Sequence, residues 1–101
     1  MQLTNEFNSI RSWAESRGLY EKGDVKTQCL KLQEEVGELA NGILKNQEKE
    51  IIDAIGDCVV VLTNLSTLAG YDIEYCINYA FKQISERTGE MKNGTFIKHA
   101  R

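Results

Sequence analysis

The chain has 101 residues, of which twelve are Lys or Arg and fifteen are Asp or Glu, giving a formal net charge of −3. This length predicts a single domain over residues 1–101, with one modest core and a pocket that a second copy helps to complete. A mildly acidic balance argues against binding nucleic acid by neutralising its phosphates. The longest apolar run, near residues 55–62, is too short to span a bilayer. We therefore expect neither a nucleic-acid partner nor a membrane partner.

Three cysteines, Cys29, Cys58 and Cys76, stand among apolar residues, and the sequence contains no Cys-x-x-Cys pair. This pattern favours buried, reduced thiols over a zinc site or a disulfide framework. The first sixteen residues are polar and amphipathic, unlike a secretory leader. We expect a cytoplasmic protein.

Helical periodicity dominates the sequence, and proline is absent. We predict an all-α fold, a four-helix up-and-down bundle-like domain with a short C-terminal tail. The first helix is predicted over about 5–17 with Thr4 as its N-cap, and the second begins after Asp24, also a good N-cap, and frays around 42–46. The predicted core stripe of the second helix steps by four and three residues along Val25, Cys29, Leu32, Val36, Leu39 and Ile43.

The third helix is predicted from residue 46 or 47 to Ala69, before Gly70. It is so apolar that we place it at the centre of the bundle. The fourth follows Asp72 over about 73–87, with its apolar residues facing inward. Residues 89–101 form the predicted tail.

The second helix carries a cluster of acidic residues. The helical period places Glu35 and Glu38 one turn apart on a stripe that also holds Lys31, whereas Glu34 points further out. Like charges at this spacing repel by a few tenths of a kcal/mol, and Gly37 between them costs about 1 kcal/mol relative to alanine. A pattern that is locally unfavourable to the helix suggests a compensating ligand.

The third helix carries a second acidic strip, formed by Glu50, Asp53 and Asp57 and continued by Asn64. Carboxylates on so apolar a helix are expected to be partly buried, so they need lysines, hydrogen bonds or a metal. Oxygen ligands from two facing helices suit Mg²⁺ or Mn²⁺. A di-iron bundle would need Glu-x-x-His, and the one histidine, His99, lies in the tail. A solvated acidic face without a ligand is the open alternative.

These residues resemble the MazG-like nucleoside triphosphate pyrophosphohydrolases of the all-α NTP pyrophosphatase superfamily, in particular its phage-type members. That family carries a Glu-Glu-x-x-Glu box on one helix and a Glu-x-x-Asp box on the next. Residues 34–38 match the first box and Asp57 matches the end of the second, while residues 84–98 look like the ending of phage-type members. The glutamate of the second box falls on Ala54, and we expect Asp53, one residue earlier, to take its role.

The resemblance implies hydrolysis of a nucleoside triphosphate to the monophosphate and pyrophosphate, by attack of water on the α-phosphorus with Mg²⁺, or Mn²⁺ as a substitute. The expected catalytic metal ligands are Glu35, Glu38, Asp53 and Asp57, of which Glu38 or Asp53 could instead orient the water. The expected substrate-binding residues are Lys31, Asn64, Lys82, Arg87, Lys92, Lys98 and Trp13. Trp13 is expected to stack on the base, and the cations to contact phosphates.

Several alternatives stay open at this point. Lys31 could instead form a salt bridge to Glu35, Asn64 could pack in a helix seam, and Trp13 could belong to the core. The whole chain could be a phosphoribosyl-ATP pyrophosphohydrolase, which has a similar acidic helix, or a non-enzymatic helical interaction module. For an enzyme of this size we expect a homodimer or homotetramer.

Overall fold

The computed structural model describes residues 4–99, which form five helices followed by a two-stranded antiparallel sheet. The elements are α1 (Thr4–Ser16), α2 (Leu19–Lys22), α3 (Val25–Leu44), α4 (Glu48–Leu68), α5 (Ile73–Ser85), β1 (Gly89–Lys92) and β2 (Thr95–Lys98). The mostly helical fold is confirmed, and the long helices begin and end within two residues of their predicted bounds. Two features differ from the four predicted helices and tail: a short helix, α2, lies between the first two predicted helices, and the tail forms a β-hairpin.

Local sequence explains where these elements begin and turn. The Asp24 side chain accepts a hydrogen bond from the Thr27 amide at 2.8 Å, which caps α3 as predicted. The hairpin turns at Asn93 and Gly94, whose φ angles of 52° and 82° are both positive. A two-residue hairpin turn of type I′ requires this conformation at both positions, and Asn-Gly is its preferred sequence.

Helices α3 and α4 form an antiparallel pair. A Cβ atom on Gly42, near the end of α3, would lie 3.4 Å from Glu50 Cβ and from the amide nitrogen of Ile51, near the start of α4. Further along the pair, the Glu35 carboxylate faces that of Asp57. The absence of a side chain at Gly42 therefore lets the two helices approach closely where the chain reverses.

Helix α4 is central, as predicted, because it contacts all four other helices. It is also the one helix among residues 4–99 that is long and apolar enough to cross a membrane by length and composition, a property shared by the core helices of globular bundles. Helix α1 packs on α4 through buried Phe7 and Ala14. Arg11 of α1 donates to both carboxylate oxygens of Glu74 at 2.8 and 2.6 Å, which fastens the start of α5 to α1.

The buried core of the single chain is smaller than the sequence predicts. Its buried apolar side chains are Phe7, Ala14, Ala54, Val61 and Ile73. On α5, the predicted inward stripe is buried only at its first residue, Ile73. The expectation of three buried thiols is also wrong, because Cys29 is exposed and the other two cysteines are half-buried.

The predicted stripe of α3 is rotated relative to its observed contact with α4. Leu32 and Leu39 are half-buried, but the other members of the stripe, Val25, Cys29, Val36 and Ile43, are exposed. The buried residues of α3 are Glu35 and Gly42. The contact between α3 and α4 is therefore centred on Glu35 and Gly42, and four of the six residues of the predicted stripe are left exposed.

Candidate functional site

The α3–α4 pair buries one carboxylate without satisfying it. Glu35 is 5% exposed and lies on the side of α3 that faces α4. Its Oε1 atom is 3.3 Å from Lys31 Nζ, and its Oε2 atom is buried without a hydrogen-bond partner. Because an unpaired buried carboxylate oxygen costs several kcal/mol at least, Oε2 is the atom that best fits a bound cation.

The neighbouring glutamates of α3 extend this site. Carboxylate oxygens of Glu34, Glu35 and Glu38 lie within 4.8 Å of one another. Repulsion by Glu35 is the main cause that raises the pKa of Glu38 above its ordinary value. Glu34 was not among the predicted ligands; its exposed side chain shares Lys31 with Glu35, at an N–O distance of 3.3 Å. The first box therefore forms a negatively charged cluster in which Lys31 makes ion pairs with Glu34 and Glu35.

Two aspartates of α4 complete the cluster. Asp57 is half-buried, and desolvation raises its pKa, with further contributions from the Asp53 and Glu35 carboxylates. The contribution of Glu35 shows that negative charge meets across the two helices. The structure thus brings the four predicted ligands into one group whose charges disfavour one another, a state that a divalent cation would relieve.

A polar cleft of about 380 Å³ opens beside the cluster and is lined by Glu38, Asn41, Glu50, Asp53 and Ala54. Asn41 is a residue that the sequence reasoning missed. It lies three residues after Glu38, so extending the acidic stripe by one helical turn would have found it. Ala54, on which the glutamate of the second box was expected to fall, borders the same cleft as Asp53.

A second groove, of about 390 Å³, lies between α1 and α4 and is bordered by Asp57. It is lined by Ser9, Ile10, Trp13, Asp57 and Val60. The Trp13 ring is 49% exposed rather than part of the core, and the Arg17 guanidinium lies 5.0 Å from the ring centroid. An aromatic ring and a carboxylate of the cluster therefore border one groove. Ser9 and Ile10 were not predicted, because only the two acidic helices carry family boxes.

Comparison with known proteins identifies the family of the chain. A family model described as the MazG nucleotide pyrophosphohydrolase domain matches residues 24–93. The chain belongs to the MazG family. The MazG match includes both acidic helices and ends in the hairpin, while α1 with Trp13 lies outside it.

One curated relative is an uncharacterized 18.2 kDa protein from the rep–hol intergenic region of Haemophilus phage HP1, strain HP1c1. It is 47% identical over 64 residues, which is 63% of this chain. The aligned part is 39% of that relative's length, so this MazG chain spans well under half of it. No solved structure matches the chain.

Within the MazG domain, Asn64 is placed apart from the carboxylate cluster. It is 2% exposed, and its Oδ1 atom accepts a hydrogen bond from the Tyr20 hydroxyl at 2.8 Å. It lies seven residues after Asp57, or roughly 10 Å along the helix axis. This contact corresponds to the packing alternative for Asn64, in a seam between α2 and α4.

The predicted phosphate-binding cations lie on α5 and beyond it. Lys82, Arg87, Lys92 and Lys98 are all exposed, and the hairpin makes its extensive contacts within itself. In the hairpin register Lys92 pairs with Thr95 and Lys98 pairs with Gly89. Because side chains alternate between the faces of a strand, the two hairpin lysines lie on opposite faces. One MazG chain alone therefore does not gather these cations around its own carboxylates.

Proposed function

We propose that this MazG chain is a cytoplasmic enzyme that hydrolyses nucleoside triphosphates to the monophosphate and pyrophosphate with the help of Mg²⁺. The observation that carries the proposal is the buried, unpartnered Oε2 atom of Glu35 within a cluster of four carboxylates from two facing helices. Membership of a family of nucleotide pyrophosphohydrolases supports the same reaction.

The donor set fits a hard divalent cation. All four residues, Glu35, Glu38, Asp53 and Asp57, offer carboxylate oxygens, which Mg²⁺ prefers and Mn²⁺ accepts. The ion, when bound, supplies neutralisation of the triphosphate charge and lowers the pKa of water. Glu38 and Asp53 border the polar cleft, where either could accept a proton from the attacking water. Lys31 balances the charge of Glu35 and could also reach a phosphate oxygen.

The groove beside Asp57 is the proposed site of the nucleobase. Its walls are mostly apolar, and the half-exposed Trp13 ring provides a surface on which a base can stack. Asp57 borders this groove and also belongs to the cluster, so a bound nucleotide would place its base and its phosphates on the two sides of Asp57. Lys82, Arg87, Lys92 and Lys98 remain proposed phosphate contacts, and Asn64 a proposed polar contact, each requiring movement or a second subunit.

Pyrophosphate release tests the reaction. The purified chain is incubated with a panel of canonical and modified nucleoside triphosphates and with phosphoribosyl-ATP, each with and without Mg²⁺. We expect monophosphate and pyrophosphate in equal amounts, only when the metal is present. Orthophosphate and a diphosphate as products would contradict the proposal. Turnover of phosphoribosyl-ATP alone would identify the chain as a phosphoribosyl-ATP pyrophosphohydrolase. If no nucleotide is turned over and Mg²⁺ does not raise the melting temperature, the chain is an interaction module.

Removing the ring of Trp13 tests the base site. Trp13→Ala is expected to raise KM for the preferred nucleotide about tenfold or more with little change in kcat, because stacking of a base on an aromatic ring contributes roughly 1–3 kcal/mol. Trp13→Phe, which keeps an aromatic face, is the matched control and should retain most of the affinity. Inhibition by inorganic tripolyphosphate should be equal in all three proteins. If tripolyphosphate binding also weakens, Trp13 acts on the phosphate side and the base assignment is wrong.

A further inference from the structure

The groove that Trp13 borders continues into a larger one along α1 and α4. The larger groove, of about 560 Å³, also reaches Asp53. The two grooves share three lining residues: Ile10, Asp57 and Val60. Because Asp53 and Asp57 belong to the carboxylate cluster, the phosphates of a nucleotide would lie at the end where the larger groove is. The part bordered by Trp13 and Ser9, which only the smaller groove contains, is then left for the nucleobase.

The base end of the groove offers few hydrogen-bonding groups. Ile10 and Val60 are aliphatic, and the Asp57 carboxylate belongs to the proposed metal site. The indole N–H of Trp13 is a donor that lies in the plane of its ring, so it points away from a base stacked on the ring face. Among the five residues that line this groove, Ser9 therefore carries the side chain that is left to contact the polar edge of the base.

The helix places Ser9 for such a contact. It lies four residues before Trp13, and side chains at this spacing are neighbours on one helix face, with about 5–6 Å between their Cβ atoms. The hydroxyls of three other helical serines donate to a backbone carbonyl oxygen three residues earlier: those of Ser16, Ser66 and Ser85. The Ser9 hydroxyl makes no such bond within residues 4–99, and its side chain is exposed. It is thus free to bind a ligand, both as a donor and as an acceptor.

Arg17 holds the Trp13 ring in position on the same face of α1. Its guanidinium lies 5.0 Å from the ring centroid, in keeping with the lean of helical side chains towards the preceding turn. Arg17 is not among the residues that line the groove, so it covers the ring without filling the space that the base would enter. A ring restrained by this cation offers a fixed surface for the base, with Ser9 one turn away.

We propose that the Ser9 hydroxyl hydrogen-bonds to the edge of the base stacked on Trp13 and thereby sets which nucleotides the enzyme prefers. This inference rests on the proposed nucleotide hydrolysis and deepens it, because stacking alone does not distinguish the bases, which all have a π face. Since the Ser9 side chain is exposed, water replaces a base whose edge does not match, and the preference is small. One hydrogen bond of this kind changes affinity by about two- to tenfold. The enzyme should therefore accept all the common bases with a preference of that size.

Kinetics of the full chain with the common nucleoside triphosphates and Mg²⁺ test this role. In Ser9→Ala, KM for the preferred nucleotide should rise about two- to tenfold, while its kcat and the KM values of the poorer substrates stay unchanged. Ser9→Thr keeps the hydroxyl and should keep the wild-type preference. The matched control is Ser12→Ala, since Ser12 is exposed on α1 but lines neither groove. It should behave as the wild type.

A change in the shape of α1 would affect every nucleotide alike and would also alter inhibition by tripolyphosphate. Equal losses with all nucleotides, or an unchanged preference in Ser9→Ala, would therefore overturn the inference. A wild type without any preference would overturn it as well. So would a wild type that prefers one base by about 100-fold or more, because one exposed hydroxyl does not supply so large a difference.

Binding of free nucleosides provides a second measurement that needs neither hydrolysis nor a metal. Trp13 is the single tryptophan of the chain, so tryptophan fluorescence reports on this groove. The nucleoside that quenches at the lowest concentration should need about two- to tenfold more in Ser9→Ala, but not in Ser12→Ala. This result in a chain that releases no pyrophosphate would support the contact with Ser9 while the proposed reaction failed. Quenching that is absent, or identical in wild type and Ser9→Ala, would overturn the inference even if the chain hydrolyses nucleotides.

Discussion

Glu35→Gln and Asp57→Asn are each expected to lower kcat by about 100-fold or more while leaving the chain folded. Losing one group that stabilises transition-state charge costs about 10²–10³ in rate in well-studied enzymes. Glu35 holds the unpartnered buried oxygen, and Asp57 connects the negative cluster across the helices. Initial rates of pyrophosphate release at saturating substrate and several Mg²⁺ concentrations measure the effect.

The same two substitutions should raise the melting temperature when Mg²⁺ is absent. Desolvation and neighbouring carboxylates raise the pKa of Asp57, so its charged form is disfavoured in the folded chain at neutral pH. A carboxyl with a raised folded pKa lowers stability above that pKa, and this cost disappears as the pH falls towards the ordinary carboxyl range near 4. Asparagine removes the cost at every pH. Mg²⁺ should raise the melting temperature of the wild type but not of either variant.

Two further substitutions separate a metal site from a general effect of charge. Glu48→Gln removes an exposed carboxylate at the start of α4 and should leave kcat unchanged. Glu34→Gln removes an exposed member of the glutamate cluster that is not among the four proposed ligands, and it should cost much less than Glu35→Gln. Near-normal turnover in Glu35→Gln together with a large loss in Glu34→Gln would show that Glu34, rather than Glu35, is the metal ligand.

The helices could be predicted from sequence because their ends are encoded locally. Asp24 caps α3 with its own side chain, and Gly18, with φ of 78°, follows the end of α1. The hairpin was missed although a local signal was present. The dipeptide Asn93-Gly94 is a strong two-residue turn signal, but the flanking strands are only four residues each and lack the alternation of polar and apolar residues that indicates a strand.

The faces of the helices could not be predicted from sequence to the same accuracy. Periodicity identifies which residues of a helix form an apolar stripe, but it does not tell whether that stripe meets a neighbouring helix of the same chain. On α3 the intrachain contact is centred on Glu35 and Gly42, so Val36 and Ile43 are left exposed. Burying a carboxylate lowers the stability of the fold, so sequence rules predict that carboxylates are exposed. Departures of this kind from the rules for cores are typical of functional sites.

Helical spacing predicts which carboxylates of one helix lie one turn apart, but it placed Glu34, which lies in the same cluster as Glu35 and Glu38, further out. The two acidic boxes do not indicate that α1 borders the site, because α1 lies outside the MazG match. The position of Trp13 beside Asp57 depends on how α1 packs on α4, through Phe7 and Ala14. Such a contact between distant segments has no signature in a short motif.

The departure from the family pattern at Ala54 leads to the second large effect. Asp53→Ala is expected to abolish Mg²⁺-dependent hydrolysis, because it removes the α4 carboxylate that lies next to Ala54 at the border of the polar cleft. The double variant Asp53→Ala with Ala54→Glu should restore part of the activity. Positions 53 and 54 lie four and three residues before Asp57, so each can present a side chain beside it. The two positions differ by 100° in direction, which the longer glutamate partly offsets.

The burial of Ala54 limits how a glutamate at this position can restore activity. Ala54 is 4% exposed, so a glutamate there must direct its carboxylate into the cleft that Ala54 and Glu38 both line. Asp53→Ala with Ala54→Gln is the matched control, since glutamine has nearly the same volume but no charge. Both double variants must first show the wild-type circular dichroism spectrum. Activity that returns with glutamate but not with glutamine would assign the recovery to the carboxylate.

Each other result has a definite meaning for the metal site. Full activity in Asp53→Ala alone would show that Glu50, which borders the same cleft, or a smaller ligand set holds the metal. Equal activity of the glutamate and glutamine double variants would mean that filling the cleft, rather than replacing the charge, restores the site. A folded but inactive glutamate variant would leave Asp53 essential and show that a ligand cannot be moved by one residue. In that case the side chain at position 53 sets a metal geometry that a glutamate at position 54 does not reproduce.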